Sequence, residues 1–284
     1  MLYWAPFVRW VVRQFHIDQR RIVIVSRGGT QAWYGLPEAR YVDVLERRSA
    51  AELRDRMAVG KKQRRVGLFD RRLMRQIRDE QREPVDFLHP SWMYALCMPY
   101  WKQSASIRWV DEFMDVAKIE PPVIPGLTLP SDYVAVRFYF SDCFPDTVDN
   151  RALVKATVTS IARERNVVLV GSGVSVDEHA DVPVELSERI HTVNHLIRPE
   201  NNLAVQTAVI ARAAAFIGTY GGFSYLAPLC GVDTVAFYSE NNYYEHHLDF
   251  AQQMFEKVGG GTLTVVDGAM RALVGQIARP DTRQ

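Results

Sequence analysis

The chain has 284 residues and a mass of 32.4 kDa, enough for two cores of ordinary size. Hydrophobic residues at 48% and charged residues at 24% exclude wholesale disorder. A net charge of +1 gives no global argument for nucleic acid. The charge is unevenly spread. Glu46 to Glu83 holds thirteen Lys/Arg against seven Asp/Glu, an excess of six, which favours an anionic partner near that segment. Cys97, Cys143 and Cys230 form no CxxC pair or disulfide framework and fit a reducing, cytoplasmic setting. No run approaches the ~20 apolar residues of a membrane span.

In chain order, residues 4–15 read as a helix with Phe7, Trp10 and Val11 on one face, without signal-peptide features. The reading is a core helix; its aromatic richness also suits a membrane surface. A strand RIVIVS (21–26) ends in Arg27-Gly28-Gly29-Thr30, with Trp33 and Tyr34 beyond. A short strand (41–45) and basic helices follow, then a strand at 85–88, an aromatic helical stretch and a strand at 106–110. His89, beside Pro90, is a candidate at the edge of a cleft.

The segment Glu120–Asp132 contains four prolines and one glycine, and so reads as a linker. It separates a domain at 1–119 from one at 133–284. Beyond it come a strand (133–140), a helix (148–164), a strand ending in Gly171-Ser172-Gly173 and a strand near 188–193. A helix (203–214), a strand (215–220), a helix (223–230), a strand (234–239), a helix (244–256), a strand (263–267) and a final helix complete the chain. Short apolar strands alternating with amphipathic helices predict an α/β fold with mostly parallel sheets: two Rossmann-like domains facing each other across a cleft.

Ligands of such sheets bind beyond the carboxyl ends of the strands. There, Gly218, Thr219, Tyr220, Gly221, Gly222, Phe223 and Ser224 join a strand to a helix start. The glycines let backbone N–H groups approach a ligand, the two hydroxyls add donors, and the helix dipole favours a diphosphate. Arg137 is the only charge in YVAVRFYF. It is either bridged by a carboxylate, with Asp142 nearby, or faces a ligand phosphate through its planar fork. Gly171, Ser172 and Gly173 suit a nucleotide pocket or a plain turn. Asn194 and His195 suit base or ribose contacts; Glu240, Asn241 and Asn242 suit a sugar or ribose hydroxyl. Asp177, Glu178, His179 and Asp181 read as a solvated loop rather than a metal cluster. His246 and His247 are adjacent and cannot form a two-histidine metal face on a helix.

The stretches VAVRFYFSDCFPDT and FIGTYGGFSYLAPLCGVDTVAFYS resemble the C-terminal domain of GT-B glycosyltransferases, and the strand-borne arginine is similar in placement to the phosphate-binding arginine of the fucosyltransferase-like branch. NNLAVQTAVIARAAAFIGTYGG and YWAPFVRWVVRQF…IVIVSRGG extend the resemblance over most of the chain. It implies a nucleotide-sugar donor held by the C-terminal domain, with Arg137, Thr219 and Ser224 as phosphate contacts. The acceptor, a glycan or lipid-linked molecule, is then expected near Arg27, Gly28, Gly29 and Tyr34. No Asp-x-Asp motif occurs, which suits a metal-independent enzyme without cofactor, and Asp142 is the candidate base. Members of this fold begin with a strand and a glycine loop before the first helix, so an N-terminally short chain is expected. Peripheral contact with the inner face of a membrane and no nucleic-acid partner complete these expectations. The alternatives are a sugar-nucleotide epimerase of the same fold and a non-catalytic nucleotide-sugar-binding or scaffolding protein.

Overall fold

The computed structural model describes residues 1–60, 63–81, 84–171, 180–240 and 245–268. Local signals set its first elements. Helix α1 (Trp4–Gln14) carries Pro6 in its first turn and Arg13 in its last. Strand β1 (Val23–Ser26), helix α2 (Gln31–Tyr34) and strand β2 (Arg40–Asp43) follow, with β1 and β2 paired in parallel. Helix α3 (Ala50–Gly60) precedes α4 (Leu68–Asp79), whose Asp70 carboxylate accepts the Gly67 N–H at 2.7 Å. Helix α5 (Pro90–Trp101) starts at an N-cap formed by His89, whose Nδ1 accepts the Ser91 N–H at 3.1 Å.

Two expected strands are corrected here. Residues 85–88 join no sheet, and 106–110 fall largely in a short helix, α6 (Ile107–Asp111). Ile, Trp and Val in that stretch carry strand propensity. Packing overrides it: Val110 is fully buried and the Trp109 indole N–H donates to the Leu96 carbonyl of α5 at 3.0 Å.

Beyond the proline-rich segment come β3 (Tyr133–Arg137), β4 (Tyr139–Phe140), α7 (Val148–Glu164), β5 (Asn166–Leu169), β6 (Ala180–Asp181) and β7 (Ile190–Thr192). Then follow α8 (Asn202–Ile210), β8 (Ala215–Thr219), α9 (Gly222–Leu229), β9 (Thr234–Tyr238), α10 (Glu245–Lys257) and β10 (Leu263–Asp267). The expected final helix lies outside the described residues. Six strands form one parallel sheet in the order β10-β9-β8-β3-β5-β7, while β4 and β6 pair antiparallel beside it. The fold is α/β.

Alternate residues of β3 face opposite sides of the sheet. Val134 and Val136 pack with Leu153, Val154 and Val158 of α7. Ala135 faces the other layer, where Val205 and Val209 of α8, Leu226 of α9 and Phe250 and Met254 of α10 meet Leu2, Tyr3 and Phe7 of the N-terminal segment. Helix α5 joins the same core through Met93, Cys97 and Tyr100. The N-terminal half has two further clusters of its own, one around α1, α2 and β1 and one around α3, α4 and β2.

The chain winds outward from β3 through β5 to β7, then crosses back to β8 on the other side of β3. This makes the carboxyl ends of β3 and β8 the switch point of the sheet, where α/β folds open a crevice.

Candidate functional site

Arg137 closes β3 at this switch point and is the register partner of Gly218 on β8. It is only 8% exposed. A guanidinium cannot shed its charge, so burial requires compensation. Several contacts supply it. Arg137 Nη1 donates to Gln206 Oε1 at 2.5 Å, Nη2 lies 3.4 Å from Asp181 Oδ1, and the Phe223 ring centre is 4.0 Å from the guanidinium carbon. The sequence left Arg137 either bridged by a carboxylate, with Asp142 the nearby candidate, or facing a ligand; the carboxylate that the structure brings to it is Asp181, carried alongside by the antiparallel pairing of Tyr139 with Asp181. Asp142 instead sits exposed in the turn between Ser141 and Phe144.

Gln206 is fully buried on α8 and links two strand ends, since its Nε2 also donates to the Gly171 carbonyl at 3.3 Å. Gly171 is packed closely: a Cβ there would come 3.1 Å from Asn194 Oδ1 and 3.6 Å from Asp181 Oδ2. Arg137, Gly171, Asp181, Thr192 and Asn194 thus edge one pocket of about 320 Å³, within the usual size of ligand sites. Its remaining wall is apolar, from Leu169, Val182, Val184 and Leu186.

The glycine turn borders this arrangement through Phe223. Gly221 has φ +154°, and a Cβ there would overlap the Tyr139 hydroxyl, so only glycine fits. A Cβ on Gly222 would meet open space. Helix geometry leaves the first N–H groups of α9 without intrahelical acceptors. The hydroxyls beside them are committed elsewhere. Thr219 Oγ1 accepts the Tyr139 N–H at 3.0 Å and donates to the Tyr139 carbonyl at 2.9 Å; Ser224 Oγ accepts the Gly221 N–H and donates to the Gly221 carbonyl. Both side chains are fully buried. Tyr220 also points inward, its hydroxyl 2.5 Å from that of Tyr225. Burial pushes the Tyr225 phenol well above its ordinary pKa.

The remaining expected positions are dispersed. His195 and Glu240 are exposed, in separate turns, and Ser172, Gly173 and Asn241 lie outside the described residues, as do Asp177, Glu178 and His179. Tyr34 belongs to the small core around α1. Arg27 is half-exposed, while the glycines after it dock on the start of α8: the Gly28 carbonyl accepts the Ala204 N–H at 2.8 Å, and Gly29 packs on Ala204. The Gly29 N–H donates to Asp43 at 2.8 Å, and Trp33 Nε1 donates to Thr207 at 2.9 Å. The Gly28–Ala204 and Trp33–Thr207 bonds pin the loop after β1 and helix α2 to the helix that carries Gln206.

No protein-family profile and no curated protein sequence matches the chain. Two solved structures resemble it. One is the beta Kdo 2,4 transferase KpsC of Thermosulfurimonas dismutans, at 13% identity and a TM-score of 0.30, over 41% of this chain. The alignment spans 37% of that protein's length. The other is the glycotransferase of kitacinnamycin, at 12% identity and a TM-score of 0.38, over 98% of this chain and 88% of that one.

Two residues of the site escaped sequence reasoning. Gln206 carries a signal like that of Arg137, a large polar side chain in a mostly apolar run, LAVQTAVI. Asp181 sits in an acidic stretch that reads as solvated and gives no such signal. Among the described residues, no three His, Cys, Asp or Glu side chains group as a metal site would need, and no helix is long and apolar enough to cross a membrane.

Proposed function

We propose that the chain is a glycosyltransferase that moves a sugar from a nucleoside diphosphate donor to a glycan or lipid-linked acceptor without a metal ion. One observation carries this reading: a buried arginine at the switch point, packed against Phe223 in the first turn of a helix that starts at the end of the neighbouring strand. Arginine and a helix N-terminus both suit a phosphate, and a departing diphosphate is where the charge of sugar transfer accumulates. In this reading the diphosphate lies between Arg137 and the N–H groups of Gly222 and Phe223, displacing the Asp181 carboxylate from the guanidinium. The nucleoside enters the pocket edged by Gly171 and Asn194. The hydroxyls of Thr219 and Ser224 shape the turn rather than touch the donor, because their bonding capacity is taken by backbone.

A thermal-shift panel of UDP-, GDP-, ADP- and CMP-linked sugars on the wild type and Arg137→Ala tests the reading. A ligand at one hundred times its dissociation constant adds about 2.7 kcal/mol, and the substitution is expected to abolish the response. An equal response from both proteins would remove Arg137 as the anchor. Release of free nucleoside diphosphate separates transfer from epimerisation, whose product keeps its nucleotide, and from binding alone.

A further inference from the structure

From Pro90 to Trp101, helix α5 contains no Asp, Glu, Lys or Arg. A helix apolar on all sides belongs in a core or against hydrocarbon. Yet α5 keeps one side at the surface, where Trp92 is 66% exposed and Leu96, one turn later, is half-buried. The ridge continues without a break. Trp109, 42% exposed, is bonded to the Leu96 carbonyl and meets Phe113 edge-on at 5.6 Å; Phe113 meets Trp10 at 5.1 Å, and Trp10 meets Phe15, itself 65% exposed.

Helix α4, whose Asp70 lies 3.7 Å from His89 at the start of α5, is cationic. Arg71, Arg72, Arg75 and Arg78 of α4 are all exposed, against a single exposed acid on that helix, Asp79. Arg64, just before α4, lies 5.9 Å over the Tyr94 ring of α5, and Arg78 lies 5.2 Å over Phe87, two residues before the N-cap of α5. We propose that this side of the N-terminal half rests on an anionic membrane surface. The indoles of Trp92 and Trp109 and the ring of Phe15 would sit at the boundary of headgroups and acyl chains, with the arginines of α4 over the anionic headgroups. The charge names the occupant. Amphipathic indoles favour the interfacial layer, and exposed arginines add attraction to an acidic leaflet. This inference does not depend on the reaction proposed above.

The test is sedimentation of the full chain with vesicles of phosphatidylcholine alone and of phosphatidylcholine containing phosphatidylglycerol. Binding is expected only to the second, weakened by added salt and accompanied by a blue shift of tryptophan emission. Trp92→Ser with Trp109→Ser should lower partitioning about tenfold or more and remove the blue shift. Arg71→Glu with Arg75→Glu, which leaves the apolar ridge intact, should lower it at least about twentyfold. Equal sedimentation of wild type and both variants, or equal binding to the neutral vesicles, would overturn the proposal. So would light scattering that finds a dimer dispersed by Trp92→Ser, since the ridge would then be a subunit interface.

Discussion

The guanidinium of Arg137 lies 4.0 Å from the centre of the Phe223 ring, so the last residue of β3 and the first turn of α9 meet face to face across the switch point of the sheet. The stack fixes the plane of the guanidinium and leaves its edge, rather than its face, for hydrogen bonding. That edge reaches Gln206 and Asp181.

Geometry of this kind distinguishes arginine from lysine. Arg137→Lys keeps the charge but loses the planar stack and the fork. Its affinity for the nucleotide that stabilises the wild type is expected to fall about tenfold or more, measured by titration calorimetry. Equal affinity would show that charge alone is used.

Asp181 holds the cation in the place the proposed phosphate would take. Asp181→Asn should therefore tighten nucleoside diphosphate binding several-fold while lowering folding stability. The pair is only partly exposed, and losing one partner is expected to cost about 1–2 kcal/mol. Urea unfolding and calorimetry on the same protein should give these opposite signs. A loss of affinity together with stability would mean that Asp181 only orders the arginine.

Gly221 offers a separate check on the turn. Gly221→Ala meets both an unfavourable φ and the Tyr139 hydroxyl, and an expected destabilisation of about 2–4 kcal/mol follows. Tyr139→Phe removes the overlapping oxygen, so the double variant should recover part of the loss in chemical denaturation, the backbone strain remaining. No recovery would place the whole cost in the backbone.

The N-terminal half contains its own acid-sensitive element. Burial pushes the Asp70 carboxyl upward, but nearby His89, 3.7 Å away, and hydrogen bonds from the Gly67 N–H and Arg56 outweigh it and hold the pKa down to about 2. A carboxyl depressed by folding contributes stability that is present above its unfolded pKa, near 4, and is lost as pH falls from there towards about 2. Asp70→Asn should flatten the acid limb of stability measured by urea unfolding between those pH values. An unchanged limb would assign acid sensitivity to other groups.

The alternation of the C-terminal half was legible because most of its sheet strands are short apolar runs, and the four described helices α7 to α10 lie between them. The failures have physical causes. Ile107 to Val110 has the composition of a strand but is helical because Trp109 finds its acceptor on α5. Arg137 stood out as a lone charge in a buried strand, whereas its carboxylate partner depends on an antiparallel pairing, β4 with β6, that no local pattern announces. Thr219 and Ser224 show the converse limit. A hydroxyl beside a glycine turn suits a ligand and a strained backbone equally well, and only coordinates reveal which atom it serves.

The aromatic side chains that open the chain are bricks in the same wall as α10. Tyr3 stacks on Phe250 at 4.6 Å and its hydroxyl meets His247 Nδ1 at 2.6 Å. Phe250 and Met254 have no exposed surface, and uncovering side chains of that size costs about 1.5–3 kcal/mol each. Cutting the chain in the proline-rich segment would thus leave the six-stranded sheet with a bare greasy flank. Heating the intact chain is expected to melt both portions together in one calorimetric peak.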